Sequence, residues 1–261
     1  MHRLSFPLVS LGSDAESNPD TAKIAEWIAG IKGNEADFIT YETDTLLSAQ
    51  HLDAAFPAAG GLYYAPRLYD VFGISENSLT GAPELNTQAV LQDIRIAKRR
   101  VKNFRFSLPS PLSLEFTDRY YHDKDDAEDA LTDAFSALCR EMRDSGVTGA
   151  VLHSMHPAEI ELEKLHGTKF LWSVPESELE HILEYTRDIV IPAADVSRLA
   201  ELFDSYTIRN VCIKDADEAV IRTVLETVER DKIFTAGYRS STAGENYWKD
   251  LAELTVTVDE L

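Results

Sequence analysis

Apolar positions along this chain follow two rhythms that alternate from end to end. Short, apolar, partly β-branched runs of strand character are read at 4–11, 36–42, 103–108, 147–152, 168–174, 188–191, 208–214 and 232–236. Between most of them, apolar residues recur at three- and four-residue steps, which predicts amphipathic helices at 21–31, 85–98, 177–185, 197–203, 218–229 and 243–254. The stretch 120–157 shows the unit most plainly. Asp123 or Asp125 caps a helix whose apolar face carries Ala127, Leu131, Phe135, Leu138 and Met142, and Gly146 stops it. A buried strand follows at once and ends in His153, Ser154 and His156.

Regular strand–helix alternation implies a parallel sheet with right-handed crossovers. Eight such units in 261 residues predict an α/β (β/α)8 TIM barrel, one domain over 1–261, with a long irregular insertion at about 43–85. A doubly wound open sheet is the alternative. Neither a glycine-rich dinucleotide fingerprint nor a phosphate-loop motif occurs, and there is no internal repeat.

Composition narrows the setting. Hydrophobic residues make up 44%, enough for a real core. The absence of an eighteen-residue apolar run argues against a membrane span, and the first residues, with Pro7 and an early Gly and Asp, do not read as a signal peptide. The two cysteines, Cys139 and Cys212, fall on a helix face and in a strand, as small buried hydrophobes do, which predicts a reducing cytoplasm. Forty-five acids against 25 bases give a net charge of −20, spread along the chain, which disfavours nucleic acid and anionic lipid as partners.

Two stretches carry a family resemblance. VKNFRFSLPSPLSL (101–114) and YYHDKDDAEDALTDAFSALCREMRDSGVTGAVLHSMHPA (120–158) resemble the C-terminal domain of cobalamin-independent methionine synthase, within the wider methionine synthase and UROD barrels. IRNVCIKDADEAVIRTVLETVERDKIFTAGYRSSTAGENYWKDLAEL (208–254) resembles the last two barrel units of that family, so the likeness spans about 100–254. It implies a (β/α)8 barrel and a methyltransferase whose zinc, held by one His, two Cys and one Glu, activates a substrate thiol. The chain departs from that pattern. KFLWSV has no His-x-Cys, Pro192 and alanines stand near the expected Glu, Ala236-Gly237 replaces Cys-Gly, and Met155-His156 replaces the Asp-Glu before Pro157. The sequence therefore predicts no catalytic zinc and leaves the cofactor unknown.

In a barrel, chemistry sits at the carboxyl ends of the strands. Those ends offer Asp14, Glu42 and His153 as acid–base candidates, His153 because its intrinsic pKa lies near neutrality. They offer Lys214, Arg239, Tyr238, Ser240, Trp172 and Ser110 as substrate-binding candidates. Lys214 and Arg239 follow the seventh and eighth strands, where barrels often hold an anion, so both are expected to converge on one carboxylate or phosphate beside Gly237–Gly244. His156 is expected to be structural. Tyr63, Tyr64 and Tyr69 either cover the mouth or pack the insertion down. Three functions remain open: a zinc-free methyltransferase-like enzyme acting on a small anion, a non-catalytic accessory barrel binding a corrinoid protein, pterin or other partner, or an unrelated barrel lyase or isomerase.

Overall fold

The computed structural model describes residues 2–16, 20–31, 36–50 and 53–258. Its centre is a set of parallel strands, here β1 (Leu8–Ser13), β2 (Ala58–Gly60), β3 (Arg105–Pro109), β4 (Ala150–His153), β5 (Phe170–Ser173), β6 (Asp188–Pro192), β7 (Asn210–Lys214) and β8 (Ile233–Arg239). They form two four-stranded sheets, ordered β1-β8-β7-β6 and β2-β3-β4-β5. A parallel bridge from Val9 to Phe56 joins the sheets, with Ser10 N–H donating to Phe56 O and Phe56 N–H to Leu8 O, each at 3.0 Å. β5 lies beside β6 at the other seam, without ladder pairing among the described residues.

Successive side chains on a strand point to opposite faces, and this period of two sorts the core. Val9, Leu11, Val151, Leu171, Val190, Cys212 and Ala236 pack together on the inner face. Their neighbours Leu152, Trp172, Ile191, Val211 and Ile213 face outward into the larger core shared with the helices. The longest of these is α5 (Lys124–Asp144), which follows α1 (Thr21–Gly30), α2 (Phe38–Gln50), α3 (Ala65–Phe72) and α4 (Gln88–Arg100). Asp123 caps α5 by accepting from the Asp125 and Asp126 N–H groups at 2.9 and 3.4 Å, as its sequence signature predicts. Among the described residues no helix is long and apolar enough to cross a membrane.

Three expectations are corrected. The run 4–11 is divided at Pro7: His2–Ser5 pairs antiparallel with Thr255–Val258, and the central strand begins at Leu8. The run 36–42 is not a strand but the start of α2. Its aromatic and β-branched residues suggest a strand, yet Asp37 accepts the Thr40 N–H at 3.0 Å and sets a helical turn. The stretch 43–85 is not an irregular insertion, because it holds the rest of α2, the second parallel strand and α3.

Arg67 on α3 ties these elements together. Its guanidinium donates to both Asp37 oxygens at 2.8 Å and, through Nε, to Asp93 Oδ2 of α4 at 3.0 Å. The hydroxyls of Thr40 and Tyr64 complete the shell of Asp93, each at 2.7 Å. Asp93 is wholly buried, and burial raises its pKa against the pull of Arg67.

Candidate functional site

A cleft of about 630 Å³ opens at the carboxyl ends of the strands. Period two selects its floor and walls: Pro109, His153, Ser173, Pro192, Lys214 and Tyr238 share the parity of the inner face. Leu62, Ala65 and Tyr69 come over the rim from the segment after β2, and Leu114 and Glu115 from the loop after β3. The cleft is therefore mostly apolar, with few groups that ionise.

His153 is fixed from below. Its Nε2 lies 2.8 Å from Leu11 O and 2.8 Å from Ser107 Oγ, and Ser107 Oγ itself donates to Leu11 O at 2.6 Å. A nitrogen facing a carbonyl must carry the proton, so Nδ1 holds the lone pair. Burial lowers the pKa of His153 to about 4, helped by the positive charge of Lys214, so the ring is neutral near pH 7. Gly12 makes this geometry possible. Its φ is +99°, and a Cβ there would stand 2.4 Å from Ser107 Oγ and 2.8 Å from Gly60 O.

Tyr238 packs edge-on to His153, with ring centroids 5.2 Å apart. Its hydroxyl donates to Asp14 Oδ1 at 2.8 Å and accepts from Leu62 N–H at 3.3 Å. Burial raises the phenol pKa, so the hydroxyl stays protonated. Lys214 Nζ lies over the same ring, 5.7 Å from its centre, within cation–π reach. The nearby acids are otherwise engaged: Asp215 accepts from Tyr247 OH at 2.6 Å, and Asp217 caps the helix Glu218–Leu225 through Val220 N–H at 2.8 Å. Among the described residues Lys214 has no carboxylate partner.

The other expected site residues lie elsewhere. Arg239, one residue past Tyr238, does not line the cleft; its register partner is Ser13, and its charge acts on Glu42. Lys214 and Arg239 are thus not brought together. Glu42 belongs to α2, where burial raises its pKa and Oε2 accepts from Glu16 N–H at 3.3 Å. Trp172 has the outward parity and donates to Leu165 O at 3.1 Å inside the core. Ser110 is buried against Ser113 Oγ at 2.8 Å, and Ser240 is exposed beside Thr242. His156 pairs with Glu178 at 2.9 Å. Of the three tyrosines, Tyr69 lines the cleft, while Tyr63 and Tyr64 reach Thr43 and Asp93. Sequence reasoning missed Ser173, Pro192 and Glu115. Parallel register sets Ser173 beside His153 and Pro192 beside Lys214, which selects the first two, and sets Trp172 beside the outward Leu152, which rejects it.

The zinc implied by the family resemblance does not fit these residues. Cys139 lies in α5 and Cys212 in the inner packed layer, and burial pushes both thiols up to about 12. A zinc-bound cysteine must be a thiolate, which neither site favours. Among the described residues no three His, Cys, Asp or Glu side chains gather as a metal set.

No protein-family model matches the sequence, and no curated protein matches it either. Solved structures do. One is a B12-independent methionine synthase from Shewanella sp. W3-18-1 in complex with selenomethionine, with a TM-score of 0.66, 12% identity and 95% of each chain covered. Another is a Listeria monocytogenes protein provisionally described as a vitamin-B12 independent methionine synthase, with a TM-score of 0.59, 14% identity, and 91% of this chain and 93% of that chain covered. At these identities the likeness is one of fold.

Proposed function

We propose that the chain is a single-domain, methionine-synthase-like (β/α)8 barrel whose cleft takes a small carboxylate with an apolar body and acts on it without zinc. Closure into a ring is supported by strands that lie side by side in chain order, joined by the Val9–Phe56 bridge, with β5 against β6. The anionic substrate is supported above all by Lys214, a cation without a carboxylate partner among the described residues, in a cleft otherwise walled by Leu62, Leu114, Val174 and Val190. A carboxylate there would meet the ammonium, and an apolar chain would lie against those walls. Glu115 at the rim supplies an acid for an amino group. The Shewanella neighbour holds selenomethionine, an amino acid of this make-up. His153, with Nδ1 unprotonated, is the proposed proton acceptor; Tyr238, whose one hydroxyl proton is committed to Asp14, is the proposed wall that packs against the His153 ring.

Fold likeness alone carries no chemistry, so methyl transfer from a corrinoid or pterin carrier rests only on kinship of architecture. One observation favours a second reading, a binding barrel without turnover: the only ionisable groups lining the cleft, among the described residues, are His153, Lys214, Tyr238, Tyr69 and Glu115. Calorimetric titration with L-methionine tests the shared premise. Saturable binding that falls at least tenfold in Lys214→Met is expected; equal affinity in the two proteins would sink the anion site.

A further inference from the structure

The opposite end of the strands carries a second cavity, of about 280 Å³, that the cleft does not explain. It is lined by the amino-terminal ends of β3, β5, β6 and β7, and Arg105 stands at its wall. The Arg105 guanidinium lies 5.4 Å from the centre of the Phe56 ring. Among the described residues it has no carboxylate partner. The second arginine, Arg209, is held by both oxygens of Asp188, which also accepts from Asn210 Nδ2 at 2.9 Å. Asp188 therefore neutralises Arg209 and leaves Arg105 as the net charge of the cavity. Phe56 and Phe234 supply aromatic walls, edge to face at 5.9 Å. Phe56 is 40% exposed, an apolar surface left at the rim.

On a chain of net charge −20, a site that keeps an uncompensated arginine is a local focus for anions. Guanidinium binds carboxylate in a planar, two-pronged manner, and its face stacks on aromatic rings. We infer that this cavity is a binding site for a small aromatic carboxylate, its carboxylate on Arg105 and its ring against Phe56 and Phe234. The volume limits the ligand to about one ring, since pockets for drug-sized molecules begin at roughly 300 Å³. The inner layer of Val9, Leu11, Val151, Leu171, Val190, Cys212 and Ala236 separates this site from the cleft. The two are thus testable apart.

Benzoate is the probe, titrated into the full chain by calorimetry and followed by a crystal structure with benzoate. Expected are saturable binding, at least tenfold weaker in Arg105→Met, and benzoate density against Arg105. Arg105→Lys keeps the charge but loses the planar fork, so an intermediate loss is expected and guards against misfolding of the first variant. Absence of saturable binding, equal affinity in the arginine variants, or benzoate found only in the cleft would overturn the inference. Methionine binding in the cleft is unaffected by either result.

Discussion

His153 shows how a residue's surroundings fix its chemistry. The same imidazole in water would titrate near neutrality, but here burial and Lys214 hold its pKa at about 4. Folding therefore favours the neutral ring, and between about pH 6.5 and 4 the unfolded chain binds a proton that the folded chain refuses. Stability then falls as pH drops through that window and levels off below it, a contribution of no more than roughly 3 kcal/mol. His153→Gln removes the titration. Its urea midpoint should depend less on pH than that of the parent between pH 4 and 6.5, and the parent's His153 ring shifts in NMR should move near pH 4. A midpoint near 6.5 would show the ring to be open to water. The identity of this residue as a site candidate was legible in the sequence, since it ends a buried strand. Its charge state was not, because it depends on Leu11, 142 residues away, and on a glycine that lets two backbones meet.

Helices and strands differ in how far their sequences announce them. The unit from α5 to β4 was readable because its cap, apolar stripe and glycine stop agree with one another. β2 was not, because Ala-Ala-Gly is too short and too small to stand out, and it is a strand only through its pairing with β3. α2 was misread for the converse reason: Thr40, Tyr41 and Thr43 are buried as in a strand, yet the cap at Asp37 and the Arg67 network hold them in a helix. That network is the main device joining α2, α3 and α4. Arg67→Met would leave Asp93 without its cation in a fully buried place, which typically costs about 3–5 kcal/mol. A urea melt should show that loss at pH 7 and a smaller one at acid pH, where Asp93 gains a proton. A loss below about 1 kcal/mol, or one independent of pH, would mean that Tyr64 and Thr40 alone satisfy the carboxylate.

Charge acts on the molecule as a whole. The excess of acids is distributed over the surface, and in places it is dense: Asp125, Asp126, Glu128, Asp129, Glu159 and Glu163 line one shallow depression. Lys164 offsets part of this by reaching Asp129 and Asp133 at 2.7 and 2.6 Å. Most other ion pairs, such as Arg222–Glu218 and Lys232–Glu229, are exposed and screened by water, and add little to stability. With −20 net charge the repulsive pairs outnumber the attractive ones, so screening removes more cost than benefit. The expected outcome is a melting temperature that rises by several degrees between about 10 mM and 0.3 M sodium chloride, as the screening length falls from roughly 30 Å to less than 10 Å. Potassium chloride should give the same rise, since the effect is one of ionic strength. At pH 5, where more of the acids are protonated, the rise should shrink. A flat or falling melting temperature over that range would show that the surface ion pairs outweigh the repulsion. A rise with only one of the two cations would instead point to specific cation binding among the clustered acids.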